Sequence, residues 1–311
     1  MNILITGVHG FVGSNLVKAL KGDHIIYGLD IIAPDKDGVL RTFAWEDLTN
    51  NVLPQIDVII HLAGKAHDTK NQSIAQVYFD INTGLTQRIY DYFYTSSATK
   101  FIFFSSVKAA ADFVLGDILT EDIIPTPKGP YGESKIAAEN YILSKPALDK
   151  QVYILRPCMI HGPGNKGNLN LLYSVVKKGI PWPLGAYVNR RSFTSIDNLC
   201  FVIDGLISKN IPTGIYHVGD DEALSTNELI SVMCEVMGRP CRIWKLNCKM
   251  MDSLAKLGTF LHLPLNSERL RKLTENYVVS NNKIKQALGV DKMPITAMEG
   301  LKKTIRSFER K

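Results

Sequence analysis

The order of apolar and amphipathic segments predicts an α/β fold, a doubly wound parallel sheet with a smaller C-terminal lobe. In the first half of the 311-residue chain, short apolar strands alternate with amphipathic helices. Residues 57–64 form a near-continuous apolar run, as expected for a strand of a parallel sheet that is covered on both faces. A repeated strand–helix–strand order of this kind forms a parallel sheet with right-handed crossovers.

The chain opens with an apolar strand that runs into three evenly spaced glycines: Gly7, Gly10 and Gly13. Gly7 lets the chain turn sharply, Gly10 lets the backbone approach a diphosphate, and Gly13 lets the next helix pack closely on the sheet. Phe11 and Val12 lie at the start of that helix, whose unpaired N–H groups would face the phosphates. We therefore expect this loop to bind a dinucleotide.

A second β-like run covers residues 24–29 and ends at Asp30, 17 residues after Gly13. That spacing is close to the one expected for a carboxylate that accepts hydrogen bonds from the adenosine ribose. A carboxylate at this point repels a 2′-phosphate, so Asp30 favours NAD over NADP.

Further strands are predicted at residues 57–64, 101–106 and 151–157, and helices at 83–94 and 131–144. Ligands of doubly wound sheets bind beyond the carboxyl ends of the strands. After Arg156 the pattern becomes irregular, so we assign residues 1–160 to an NAD-binding domain and residues 161–311 mainly to a substrate-binding lobe interleaved with it. Helices are expected in that second half near 169–178, 197–209, 226–237, 249–260, 267–274 and 297–310.

Composition excludes several classes of protein. The chain is 45% hydrophobic and 21% charged, with a formal charge of +6 that is too diffuse to indicate nucleic-acid binding. Its five cysteines form no close C-x-x-C pair, which favours free thiols in a reducing compartment and a cytoplasmic protein. No signal peptide is recognised and no apolar run reaches membrane-spanning length, so we expect no membrane insertion.

A tyrosine and a lysine lie four residues apart at the start of a predicted helix, at Tyr131 and Lys135. That spacing places both on one helix face. A neighbouring ammonium favours the phenolate and would lower the tyrosine pKa, so Tyr131 could remove a proton from a sugar hydroxyl. Ser105 and Ser106 end the preceding strand, where a serine hydroxyl could orient the substrate oxygen against the tyrosine.

Further motifs follow in order along the chain: Asp47-Leu48, His61-Leu62-Ala63-Gly64, Asn82-Thr83-Gly84, Arg156-Pro157 with His161-Gly162-Pro163-Gly164, and Arg191-Ser192-Phe193. With the glycine loop and the serine, tyrosine and lysine, they resemble the extended short-chain dehydrogenase/reductase superfamily, in its NAD-dependent nucleotide-sugar epimerase/dehydratase branch. The resemblance covers nearly the whole chain. It implies a Rossmann-type sheet, a homodimer and a bound NAD.

The resemblance also assigns roles to single residues. It implies that Ser106, Tyr131 and Lys135 are catalytic. No metal site is expected, because no histidine accompanies Cys234, Cys241 and Cys248 at zinc-ligand spacing. The implied cofactor-binding residues are Gly7, Gly10, Phe11, Val12, Gly13, Asp30, Asp47, Leu48, Leu62, Ala63, Gly64, Asn82, Ser105, Lys135 and Pro157. The implied substrate-binding residues are Ser106, Tyr131, Asn168 and Arg191, of which Arg191 would bind the diphosphate.

The sequence disfavours a dehydratase, which would carry an Asp-Glu pair directly after the catalytic serine, where this chain has Val107-Lys108. Three other functions stay open at this point. The Ser-Ser-x-Lys segment is similar to a bacterial polysaccharide-synthesis subgroup, which includes both UDP-glucose 4-epimerases and 4-keto reductases. We expect a 4-epimerase of a UDP-linked hexose. The alternatives are a 4-keto reductase of a UDP-6-deoxy-N-acetylhexosamine and a non-catalytic dinucleotide sensor.

Overall fold

The computed structural model describes residues 1–50, 52–65, 74–147, 149–165, 167–261, 263 and 265–309, with the side chain of Asn168 also left out. Its strands are β1 (Asn2–Thr6), β2 (Ile25–Leu29), β3 (Arg41–Phe43), β4 (Val58–His61), β5 (Lys100–Phe104), β6 (Gln151–Pro157), β7 (Met159–His161), β8 (Phe193–Ser195) and β9 (Gly214–Val218).

The helices are α1 (Phe11–Leu20), α2 (Ala75–Tyr78), α3 (Leu85–Thr95), α4 (Val107–Ala110), α5 (Gly129–Ser144), α6 (Asn168–Lys177), α7 (Ile196–Ser208), α8 (Thr226–Val236), α9 (Cys248–Phe260), α10 (Ser267–Thr274), α11 (Asn282–Leu288) and α12 (Ala297–Glu309). A 3₁₀ turn covers Trp45–Leu48. A π-helical turn, Phe79–Gly84, joins α2 to α3 in one continuous helix. No helix of the described part is long and apolar enough to cross a membrane.

The main sheet has seven strands, all parallel, in the order β3-β2-β1-β4-β5-β6-β9. This confirms the predicted Rossmann-type doubly wound architecture. The strand order reverses between β1 and β4, so the loops that follow these two strands lie side by side at the carboxyl edge. A crevice at such a reversal is where doubly wound sheets bind their ligands.

Buried apolar side chains cover both faces of the sheet. On one face, β1 and β6 pack against α1, α7 and α11 through residues such as Leu16, Leu199 and Leu288. On the other face, α3 and α5 pack through Ile89 and Ile142. A separate cluster from α6, α8, α9, α10 and α12 forms the core of the C-terminal lobe. Because β9, α7 and α11 come from the second half of the chain, that half contributes to the main sheet as well as to the lobe.

Candidate active site

The glycine loop connects β1 to α1 with almost no free space around its backbone. Gly7 has φ +67°, and its N–H donates to Leu29 O over 2.8 Å. A Cβ built on Gly13 would lie 2.6 Å from Gly7 O, and a Cβ on Gly10 would lie 3.1 Å from the same atom. Within the described residues, no side chain caps the first turn of α1. The loop thus presents free N–H groups to an anion, as a dinucleotide diphosphate requires.

Asp30 follows β2 and its carboxylate is held in place by the loop. Asp30 Oδ2 accepts from the His9 backbone N–H at 3.1 Å and lies 3.2 Å from His9 Nδ1. Asp30 Oδ1 accepts from Ile31 N–H at 2.8 Å. The carboxylate is therefore fixed beside the glycine loop, where the sequence predicts the adenosine ribose.

A chain of hydrogen bonds fixes the loop after β4. Thr6 Oγ1 lies 2.7 Å from His61 Nδ1 and accepts from the N–H groups of Leu62 and Ala63. His61 Nε2 lies 3.0 Å from Thr86 Oγ1. Burial, helped by the nearby Lys135 charge, holds the pKa of His61 well below its usual range, so the ring is neutral. Sequence reasoning missed the two threonines, because nothing local distinguishes them from ordinary core residues.

Asn82 ties this loop to α5. It lies in the π-helical turn and is fully buried. Its Oδ1 accepts from Lys65 N–H at 2.7 Å, and its Nδ2 donates to Ser134 Oγ at 3.0 Å. A Cβ on Gly64 would lie 2.9 Å from Asn82 Oδ1 and 3.2 Å from Lys135 Nζ. The structure therefore brings Gly64, Asn82 and Lys135 together. π-Helical turns often occur at functional sites.

Ser106 and Tyr131 meet as the sequence predicts. Ser106 is the N-cap of α4, where its Oγ accepts from Lys108 N–H at 3.2 Å, and its side chain is also hydrogen bonded to Tyr131. Burial raises the pKa of Tyr131, the Ser106 hydrogen bond lowers it, and Tyr78 raises it. The expectation that Lys135 lowers this pKa is wrong for the protein by itself, because burial dominates.

Lys135 is buried and points toward the end of β5. Its Nζ donates to Phe104 O at 2.8 Å and lies 5.1 Å from the centre of the Phe103 ring. Burial lowers the pKa of Lys135 to about 8, and Glu139 one helical turn further on opposes that effect. Lys135 is therefore a cation at neutral pH that titrates only slightly above it.

Behind the site lies a buried ion pair that sequence reasoning missed. Arg156 Nη2 and Nε donate to the two carboxylate oxygens of Glu139, at 2.6 Å for Nη2–Oε2 and 3.0 Å for Nε–Oε1. Ser105 Oγ also donates to Glu139. The Ser105 hydroxyl is thus engaged behind the site. The spacing of Glu139, four residues after Lys135, was the available signal.

Arg191 lies close to the segment that carries Ser106. Its Nη1 donates to Lys272 O, and Ser192 N–H donates to Tyr277 O at 2.9 Å. The Tyr277 hydroxyl in turn donates to Ala111 O, directly after α4, at 2.7 Å. Burial lowers the pKa of Arg191, an effect that Glu275 and Tyr277 oppose. Its neighbour Arg190 is exposed, so only Arg191 is placed among the buried groups of the site.

The remaining predicted residues have varied placements. Asp47 Oδ2 accepts from Ala44 N–H at 2.9 Å and so closes the 3₁₀ turn, while Leu48 is buried in the sheet core. Pro157 is buried at the carboxyl end of β6. The side chain of Asn168 lies outside what the structure describes.

The parts of the site that are described fit an NAD molecule: a diphosphate loop in which a Cβ at Gly13 would overlap the backbone, a fixed carboxylate and a buried cation.

Comparison with known proteins gives one family and a consistent set of relatives. The model of the NAD dependent epimerase/dehydratase family matches residues 3–219. The UDP-glucose 4-epimerase of Vibrio cholerae is 33% identical, over 99% of this chain and 95% of that protein. An N-acetyl-α-D-glucosaminyl-diphospho-undecaprenol 4-epimerase of Escherichia coli O157:H7 is 25% identical, over 98% of this chain and 94% of that protein.

Among solved structures, MoeE5 in complex with UDP-glucose and NAD matches with a TM-score of 0.77 at 22% identity. The match covers 100% of this chain and 99% of MoeE5. At that identity the likeness shows the fold, and it extends from the nucleotide-binding sheet through the C-terminal lobe.

Proposed function

This chain belongs to the NAD dependent epimerase/dehydratase family, and on that premise we propose that it is a 4-epimerase of a UDP-linked hexose. The observation that carries the proposal is the hydrogen bond between the side chains of Ser106 and Tyr131. It lies at the carboxyl edge of the sheet, and Tyr131 is on the same side of α5 as Lys135, whose Nζ donates to Phe104 O. A protein that only sensed a dinucleotide would need the glycine loop, Asp30 and Lys135, but neither Ser106 nor Tyr131.

Each residue has a separate task in this mechanism. NAD, when bound, supplies the hydride acceptor and donor for C4 and a positive charge that favours the Tyr131 phenolate. Tyr131 takes the proton of the C4 hydroxyl and later returns it. Ser106 orients that oxygen by a hydrogen bond. Lys135 holds the cofactor ribose and adds positive charge, and Arg191 binds the substrate diphosphate.

A 4-epimerase oxidises and reduces the same carbon, so its net redox change is zero. The 4-keto sugar turns in the site and is reduced on its other face. We therefore expect the purified protein to interconvert C4 epimers of a UDP-hexose with at most a catalytic amount of NAD and no net consumption of it, as measured by chromatography of the sugar products. Product formation only with stoichiometric external NADH would contradict this and favour the 4-keto reductase.

Asp30 is expected to make the protein select NADH. A 2′-phosphate would meet the fixed carboxylate, and repulsion between like charges at short range should weaken NADPH binding about tenfold or more. Fluorescence titration with both cofactors measures the ratio of the NADPH and NADH dissociation constants. Asp30→Asn should bring that ratio closer to one. Equal affinities in the unaltered protein would show that Asp30 does not discriminate.

Arg191 is expected to bind substrate without affecting NAD. Charge-assisted hydrogen bonds contribute roughly 1.5–3 kcal/mol each, so Arg191→Ala should weaken UDP binding about tenfold or more. Arg190→Ala is the matched control, because Arg190 is the exposed neighbour. Calorimetric titration with UDP and with NAD separates the two sites. Unchanged UDP affinity in Arg191→Ala would assign the arginine a structural role.

Cofactor affinity is expected to fall as pH rises above about 8. Burial lowers the pKa of Lys135 to about 8, so its charge is present below that pH and lost above it. Lys135→Met removes the charge at every pH and should bind NAD weakly with a flat profile. Titrations from neutral to alkaline pH test this; a flat profile in the unaltered protein would contradict it.

Two further proposals concern the state of the protein in the cell. The five cysteines are free, in keeping with a reducing, cytoplasmic location.

We also propose a homodimer through α3 and α5, as the family resemblance implies. A mass in solution of twice that of the chain is the expected result, and the mass of a single chain would contradict it.

A further inference from the structure

Helix α9, on the C-terminal lobe, exposes an apolar stripe. Met250, Leu254 and Leu257 recur at helical spacing on one side, and Leu261 continues that side at the end of the helix. Their exposed fractions are 46%, 48%, 52% and 52%. Phe260, at the tip, is 80% exposed. A continuous exposed apolar face of this kind marks an interaction surface more often than scattered single residues do.

The stripe is additional to the side of α9 that already packs on the lobe. Met251 and Ala255 are buried in the lobe core, and Gly258 faces the returning chain. A Cβ on Gly258 would overlap Leu265 O, and Leu263 N–H donates to Gly258 O at 2.8 Å. Because the helix is held this closely, it cannot roll to bury the stripe within its own lobe.

Positive charge surrounds the stripe. Residues 239–261 contain five cations and one acid, a net charge of +4 in a chain whose total is +6. The acid, Asp252, accepts a hydrogen bond from the Tyr187 hydroxyl at 2.8 Å. In the described part of the chain, none of these five cations forms an ion pair with a carboxylate; Arg239 Nη1 donates to the backbone oxygen of Lys177. Lys249 and Lys256 are exposed on one flank of α9, roughly a third of a turn from the stripe.

We propose that α9 docks the protein on the surface of an anionic lipid bilayer. Apolar side chains enter the boundary between headgroups and acyl chains, and unpaired lysines approach the lipid phosphates. A second copy of the chain fits less well, because a symmetric contact would place two +4 segments face to face. Nucleic acid would satisfy the cations but not the stripe. The helix lies on the membrane and does not span it, and the proposal is independent of the proposed reaction.

Co-sedimentation of the full chain with lipid vesicles tests the proposal. The protein is expected to bind phosphatidylcholine vesicles that contain phosphatidylglycerol, at least about tenfold more tightly than pure phosphatidylcholine vesicles, and salt should weaken that binding. Leu254→Ser with Leu257→Ser should lower binding about tenfold or more, since it removes buried apolar contact. Lys249→Gln with Lys256→Gln should lower it too and reduce the salt dependence.

The matched control is Leu40→Ser with Ile124→Ser, which removes two exposed apolar side chains outside the C-terminal lobe and should leave vesicle binding unchanged. Thermal melting checks that every variant is folded. Failure of the unaltered protein to bind the anionic vesicles overturns the proposal. If the unaltered protein does not bind the vesicles and the Leu254→Ser, Leu257→Ser variant has a lower mass in gel filtration than the unaltered protein, the stripe is a contact between copies of the chain. Equal loss of binding in the control pair also overturns the assignment to α9.

Discussion

Tyr131→Phe is expected to lower turnover of a UDP-hexose by at least about 100-fold, the lower end of what a positioned acid–base group contributes. The change removes one oxygen from a side chain on the well-packed helix α5 and leaves its ring in place. The phenol that takes the C4 proton is lost, whereas the glycine loop, Asp30 and Lys135 are untouched. Turnover is measured on the nucleotide sugar that the unaltered protein converts, and NAD affinity is measured in parallel.

Ser106→Ala is the companion variant for that experiment. It removes the hydrogen bond to Tyr131 and should lower turnover while NAD binding is kept. The glycine loop provides the opposite control, because a side chain on Gly13 should abolish NAD binding itself. If Tyr131→Phe keeps turnover within a few-fold, Tyr131 is not the proton-transfer residue and the proposed mechanism fails.

Arg156→Met is expected to lower the free energy of unfolding by about 3–5 kcal/mol, because it leaves the Glu139 carboxylate buried without its cation. The pair is almost completely excluded from water, with exposed side-chain fractions of 2% for Arg156 and 0% for Glu139. Urea denaturation measures the loss. A decrease below about 1 kcal/mol would show that Ser105 and its surroundings satisfy the carboxylate unaided.

An exposed ion pair with the same separation offers a matched control. Lys145 Nζ and Asp91 Oδ1 also lie 2.6 Å apart, but their side chains are 45% and 50% exposed. Lys145→Met should therefore hardly change stability, since water screens such pairs. The double variant Arg156→Met with Glu139→Leu should recover much of the lost stability, because two apolar side chains bury no uncompensated charge.

Several of the site residues that the sequence predicted follow a strand. Gly7 and Asp30 come directly after β1 and β2, and Ser106 lies two residues after β5. A parallel sheet brings such positions to one edge whatever the details of packing. Tyr131 and Lys135 could be added because a spacing of four residues defines a helix face. Periodicity also located α7 and α8 within one or two residues of their observed bounds.

What the sequence did not predict depends on burial and on distant partners. The spacing of Glu139 from Lys135 places both on one face of α5, but it does not indicate that Arg156, on a different element, is buried against Glu139. The burial that raises the pKa of Tyr131 in the protein by itself could not be predicted, since its spacing from Lys135 says nothing about desolvation. Asp47 was assigned to the cofactor from its motif, and whether it binds there as well as closing its turn stays a prediction. The chain after residue 160 was assigned mainly to the C-terminal lobe, and no local pattern indicated that β9 joins the main sheet as its seventh strand.

That seventh strand has a consequence for the order in which the protein can fold during synthesis. The apolar face of the sheet that α7 and α11 cover includes Ile3 and Ile5, and its cover comes from residues as late as Leu288. When only residues 1–160 have been synthesised, α1 is the one helix of α1, α7 and α11 that can cover this face, so the part that α7 and α11 cover is still exposed. Contacts this far apart in sequence form slowly, and bare apolar faces aggregate. The nucleotide-binding half thus depends on the last part of the chain to be made.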